Sequence, residues 1–295
     1  MTGLRYVVSF FPGVVVLFAI SGFLVSGSME RSKNRKEFFV RRVFRLYPEL
    51  WVCTLVNLLL LLCLTRQRFS TEILFWCVTQ IFGIANTPDC FSNFATGSVN
   101  GALWTIFTEV QLYVLLGIFY PLMKKWSKKL WGVIIAAAAS ANLVCARLAE
   151  LFPGTVEKII ERTFVPYAVW FLIGCFCWLK REWVLAVLKR WYIPLLVLYA
   201  LLRVSGWISV GYYTDIATSL LCPLVAIGTA FCFPAKRLRW DFTYGIFLYH
   251  WLVLNVMVHF DLINRLPWAI GIFFFTAVTC TAAFLSGKTV GRRVR

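Results

Sequence analysis

Long apolar runs follow one another along the chain, and short polar connections separate them. A helix that crosses a bilayer needs roughly 17–25 mostly apolar residues to cover the hydrocarbon core. A further apolar stretch, 71–85, is too short for a full crossing. Nine longer runs are predicted to be transmembrane helices: 10–28, 47–64, 101–122, 130–149, 164–180, 191–208, 214–233, 242–260 and 267–287.

Composition supports a protein that lies in the bilayer along most of its length. Apolar residues make up 60% of the 295 positions, and mean hydropathy is +0.77. A soluble domain is usually about 45–50% apolar. The strict alternation of a transmembrane β-barrel is absent, so we expect an all-α, polytopic membrane helix bundle. Residues 1–295 are predicted to form a single integral-membrane domain with no soluble part.

The net charge is +17, and the positions of the charged residues are more informative than their sum. Lys and Arg cluster between the apolar runs, which is typical of topology signals rather than of nucleic-acid binding. Nine spans place the five main basic groups on one side, so 71–85 is predicted to be re-entrant or interfacial. The same rule puts Met1 outside and Arg295 in the cytoplasm. The basic groups lie within 31–45, 124–129, 180–190, 236–239 and 288–295.

Residues 28–46 are predicted to form an amphipathic segment on the cytoplasmic surface. Phe38, Phe39, Val43, Leu46 and Tyr47 supply its apolar contacts. Its basic residues either contact lipid headgroups or hold the phosphates of an anionic cofactor, and charge alone favours the headgroups. These residues are Arg41, Arg42 and Arg45.

Glu109 is the strongest signal of chemistry, because it lies inside the predicted span 101–122. An ionisable side chain at membrane depth marks a functional site unless it serves helix packing. Gln111 and Tyr113 add polar groups nearby, and residues 109 and 113 share a helix face. Together they favour a functional carboxylate over a packing one.

His250 also lies mid-span, where it either handles a proton or forms an interhelical hydrogen bond. His259 is expected near the outer interface. Ser21 and Gly22 indicate only close helix packing. The ten cysteines are scattered through apolar stretches, so we expect neither a metal site nor a disulfide framework.

Three blocks of the sequence together resemble the acyltransferase 3 family of membrane proteins, which includes O-antigen and Nod-factor acetyltransferases. Residues 13–24 resemble its G-V-x-L-F-F-x-x-S-G-F-L helix, and the Arg41–Pro48 segment that follows resembles its R-R-x-x-R-x-x-P pattern. Residues 104–113 resemble its W-S-L-x-x-E-x-x-x-Y helix, with Pro121 beyond. Residues 243–250 resemble its S-Y-x-x-Y-L-x-H segment.

The resemblance implies transfer of an acyl group, commonly acetyl, from cytoplasmic acyl-CoA to a hydroxyl of a surface or lipid-linked glycan. It implies that the three arginines serve the donor, that Glu109 and Tyr113 line an intramembrane pocket, and that His250 is structural or faces the acceptor. A bacterial inner membrane follows as the expected location.

The sequence departs from the family at its start. The family's first helix carries an Arg and, ten to eleven residues later, a His that serves as base. Arg5 is followed at those distances by Val15 and Val16. We therefore expect a chain that begins after that helix, which accounts for an odd number of spans. The alternatives are a glycan or small-solute transporter and a catalytically inactive, truncated family member.

Overall fold

A computed structural model describes residues 10–205, 210–233 and 242–291, and the regular structure within these ranges is helical throughout. The predicted all-α class is confirmed. The helices are α1 (Gly13–Glu30), α2 (Arg35–Thr65), α3 (Thr71–Ile81), α4 (Trp104–Lys125), α5 (Lys128–Leu151), α6 (Thr155–Glu161), α7 (Ala168–Leu179), α8 (Arg181–Ser205), α9 (Ile216–Cys232), α10 (Thr243–His259), α11 (Leu262–Arg265) and α12 (Trp268–Ser286).

Each of the nine predicted spans coincides with one helix, but the helices differ in length. Six are long and apolar enough to cross a membrane: α1, α2, α4, α5, α8 and α12, the last extending to Val290. The other three, α7, α9 and α10, have 12, 17 and 17 residues. That these three helices cross the membrane stays a prediction.

The amphipathic segment predicted at 28–46 is not a separate helix. Residue 30 ends α1, and residues 35–46 are the first turns of α2, which continues to Thr65 with Pro48 inside it. Leu46 and Phe38 are buried, whereas Val43 is exposed. The sequence therefore changes from basic to apolar near residue 46, while the backbone stays helical.

The short apolar stretch 71–85 contains the 11-residue helix α3 and a chain that folds back on it. Gln80, only 1% exposed, donates to the carbonyl of Ile84 and to the side chain of Asn86, both at 2.8 Å. Trp76 donates to the Asn86 carbonyl at 3.1 Å. Eleven helical residues extend for about 16 Å, roughly half the hydrocarbon thickness.

Large apolar side chains are exposed along the helices that have the length to span a membrane. Examples are Leu59 on α2, Val204 on α8 and Phe273 on α12, which are 55%, 82% and 74% exposed. Such continuous apolar surface on a folded chain indicates a lipid-facing exterior. The protein is therefore an integral membrane protein.

The chain divides into two compact units. Unit 1 comprises residues 1–38 and 108–236, and unit 2 comprises residues 39–107 and 237–295. The basic groups at 236–239 and 292–295, with Arg5 and both chain ends, lie outside the described residues.

Close packing of α1 on α7 forms the centre of unit 1. A Cβ added at Gly22 would lie 2.1 Å from the carbonyl oxygen of Phe171, and one added at Gly174 would lie 2.0 Å from that of Ala19. The two glycines therefore allow the two backbones to touch, as small residues do in membrane helix pairs. The predicted role of Gly22 in close helix packing is confirmed.

Unit 2 is organised around α10. Its apolar core contains Leu50 and Cys53 of α2, Leu103 before α4, Ile106 of α4 and Leu248 of α10. Polar contacts supplement this core. Asn100 donates to the Leu248 carbonyl at 2.9 Å, and the Tyr249 hydroxyl donates to Ser286 at 3.2 Å.

Candidate active site

Glu109 and Tyr113 lie one helical turn apart on α4, within unit 1. Both are buried, at 7% and 6% exposed. The hydroxyls of Tyr113 and Ser21 are 3.1 Å apart and form a buried hydrogen bond between α4 and α1. The Tyr113 ring also lies 6.5 Å from that of Phe171 on α7. Three helices thus hold Tyr113 in place one turn from the Glu109 carboxylate.

Gln111, between these residues in sequence, fixes the chain that leads into α7. Its amide nitrogen donates to the carbonyl of Arg162 at 2.9 Å, and its amide oxygen accepts from the backbone N–H of Phe164 at 3.1 Å. These bonds satisfy one donor and one acceptor of an irregular segment. Gln111 is therefore a structural residue that orients the α4 turn carrying Glu109.

The three arginines lie on the first half of α2, within unit 2. Arg41 and Arg45 are exposed and Arg42 is half-buried. Residues 41 and 45 are four apart and share a helix face, with Arg42 beside them. Such a face presents planar guanidinium donors, which match the geometry of phosphate oxygens.

His250 is half-buried on α10, in unit 2. Its Nδ1 lies 2.7 Å from the Phe247 carbonyl oxygen and 3.2 Å from that of Ile246. A nitrogen facing two acceptors must carry the proton, so Nε2 of the neutral ring has the lone pair. This tautomer suits a proton acceptor. His259, at the end of α10, is exposed and packs on Phe94 with ring centroids 5.0 Å apart.

The predicted site residues divide between the two units. Unit 1 contains Glu109 and Tyr113, and it brings Ser21 to them. Unit 2 contains the three arginines and His250. The hydrogen bond of Ser21 is the feature that sequence reasoning missed. The signal that could have found it is a serine next to a glycine that allows a neighbouring helix to approach closely.

Glu109 and Tyr113 thus lie buried, one turn apart, on a helix that is long and apolar enough to cross a membrane. The family profile described as an acyltransferase domain matches residues 2–287, so the chain belongs to this acyltransferase family. The family resemblance drawn from the motifs is confirmed.

Individual relatives agree with the family. Nodulation protein 10 of Rhizobium leguminosarum bv. viciae is 26% identical over 84% of this chain and 72% of its own length. The O-acetyl transferase of Shigella phage Sf6 is 25% identical over 83% of this chain and 74% of its own. Peptidoglycan O-acetyltransferase OatA of Listeria monocytogenes is 24% identical over 83% of this chain and 45% of its own.

No solved structure matches the fold. The family and the O-acetyltransferase relatives together make this chain a membrane O-acyltransferase.

Proposed function

We propose that the protein transfers an acetyl group from acetyl-CoA to a hydroxyl of a surface or lipid-linked glycan. The observation that carries this proposal is the buried Glu109, one turn from a tyrosine whose hydroxyl is fixed by Ser21. A carboxylate at membrane depth costs free energy, so its presence there indicates a function. The relatives named for O-acetyl transfer support the reaction type.

In the reaction, the hydroxyl oxygen of the acceptor bonds to the thioester carbonyl carbon, and the carbon–sulfur bond then breaks. The electron pair leaves with the CoA sulfur, and the hydroxyl proton passes to a base and then to that sulfur. Glu109 is the proposed base, since a side chain placed to take this proton lowers the barrier. The Tyr113 hydroxyl would donate to the developing oxyanion.

The donor would be bound at the three arginines of α2 through its phosphates. With the basic connections facing the cytoplasm, this face of unit 2 meets soluble acyl-CoA. His250 is proposed as a second proton acceptor on the acceptor side, because its Nδ1 donates to backbone carbonyls and leaves Nε2 to accept. The expected location is a bacterial cytoplasmic membrane.

The test uses membrane vesicles, radiolabelled acetyl-CoA and an extract of the producing organism's envelope glycans. Glu109→Gln is isosteric and should lower label transfer at least about 100-fold, as loss of a general base does. The matched control is Glu150→Gln, an exposed carboxylate on α5 with 64% of its side chain accessible. Transfer by Glu109→Gln at the control's rate would remove Glu109 from the mechanism.

A further inference from the structure

A short loop in unit 1, residues 210–216, holds an aromatic residue in an unusual conformation. The backbone N–H of Ile216 donates to the Val210 carbonyl at 2.9 Å and closes the loop. Within it, Tyr213 has a φ of 70°. A bulky side chain at positive φ is strained and is retained only where the surroundings over-determine it. Such strain is concentrated at ligand sites and therefore directs attention to what Tyr213 does.

Asn142 of α5 is the side chain that fixes this loop. It is fully buried, its Oδ1 accepts from the Tyr212 N–H at 3.0 Å, and its Nδ2 donates to the Pro166 carbonyl at 2.8 Å. One amide thus ties the loop to the chain entering α7. The loop is thereby tied, at Tyr212, to a buried side chain of α5.

The loop holds Tyr213 at the surface, on an aromatic base. Tyr213 is 53% exposed, and its ring meets that of Trp170 edge-to-face, with centroids 6.3 Å apart. Trp170 is completely buried and lies 5.9 Å from Tyr167, which in turn lies 5.9 Å from Tyr212. Such a base keeps the exposed ring in one orientation.

We propose that Tyr213 is the stacking subsite for a sugar ring of the glycan acceptor, an inference that rests on the proposed function. The C–H face of a pyranose is electropositive and packs on the negative face of an aromatic ring. The predicted topology places the 210–216 loop on the side opposite the basic connections, where surface glycans lie. A tyrosine that merely anchors the protein at the membrane interface needs neither a strained backbone nor a loop that is tied to a buried amide.

The test distinguishes the effect of the Tyr213 ring from that of the loop conformation. Tyr213→Gly removes the ring while relieving the positive φ, since glycine adopts this conformation without strain. Tyr213→Phe keeps the ring. The matched control is Trp268→Ala, which removes another aromatic that is 68% exposed, at the start of α12. Transfer of radiolabelled acetyl from acetyl-CoA is measured against concentration of the envelope-glycan extract, and separately against that of acetyl-CoA.

The expected result is that Tyr213→Gly raises the apparent KM for the extract about tenfold and leaves the KM for acetyl-CoA unchanged. Tyr213→Phe and Trp268→Ala should match the wild type. An unchanged KM for the extract in Tyr213→Gly, or an equal rise in the KM for acetyl-CoA, would overturn the subsite. Absence of transfer by the wild-type protein would instead overturn the proposed function, so the two failures are distinguishable.

Discussion

At the residue scale, the hydrogen bond between Ser21 and Tyr113 sets the geometry of the proposed site. Polar bonds between membrane helices contribute about 0.6–2 kcal/mol, so this one is a modest but specific tie. We expect Ser21→Ala and Tyr113→Phe each to lower the thermal stability of the purified protein slightly. The double variant should show a coupling energy of about 1 kcal/mol.

Activity separates the roles of these two residues. Tyr113→Phe should lower acetyl transfer more than Ser21→Ala, because only Tyr113 is proposed to donate to the oxyanion. Equal losses of activity in the two variants would reduce Tyr113 to a packing residue. The measurement is the rate of label transfer at saturating acetyl-CoA.

A thiol in the connection after α3 provides a second test at this scale. Partial burial raises the pKa of Cys90, and the nearby Glu72 carboxylate raises it further. A raised pKa leaves less thiolate at a given pH, which slows alkylation. Glu72→Gln should therefore lower the pKa and speed maleimide labelling of Cys90 between pH 7 and about 9.

The control for this labelling is Cys90→Ser, which should remove the signal that depends on residue 72. A membrane-impermeant maleimide applied to intact cells should label Cys90, since the connection is predicted to lie outside. Labelling only after the cells are permeabilised would reverse the proposed topology. An unchanged rate in Glu72→Gln would show that burial alone sets the reactivity.

At the element scale, the contact between α1 and α7 depends on two glycines. Ala at Gly22 or Gly174 would place a methyl group about 2 Å from a backbone oxygen, which forces the helices apart. Each substitution should destabilise unit 1 by about 3 kcal/mol or more. The same change at Gly132, on α5, meets nothing within 4 Å.

Gly132→Ala is therefore the matched control, and it should be neutral or stabilise the protein by about 0.5–1 kcal/mol through helix propensity. Melting temperatures of the three variants in one detergent make the comparison. If Gly22→Ala and Gly174→Ala have the same melting temperature as Gly132→Ala, the close approach of the two helices is not what stabilises unit 1.

Helix positions were predictable because apolar length is a strong signal, and each of the nine predicted spans contains a helix. The bounds of α2 were not predictable from the sequence. The basic residues before Tyr47 predict a separate surface segment that ends at residue 46. The helix instead continues through this point and through Pro48, since a proline inside a helix costs one backbone hydrogen bond.

At the scale of the whole molecule, the site residues were predictable only as separate blocks. Glu109 and His250 stand out because an ionisable group in an apolar run is rare. The partner of Tyr113 could not be found this way, because Ser21 is distant in sequence and hydroxyls are common in membrane helices. Likewise, no periodicity shows that Asn142 fixes the 210–216 loop.

The central claim is acyl transfer to a glycan, and mass spectrometry of the envelope glycans tests it most directly. Cells without the gene, with it, and with Glu109→Gln are compared. The account predicts an alkali-labile acyl increment on a glycan in the second strain alone. Identical glycan spectra from all three strains, with each protein present in the membrane, would contradict it.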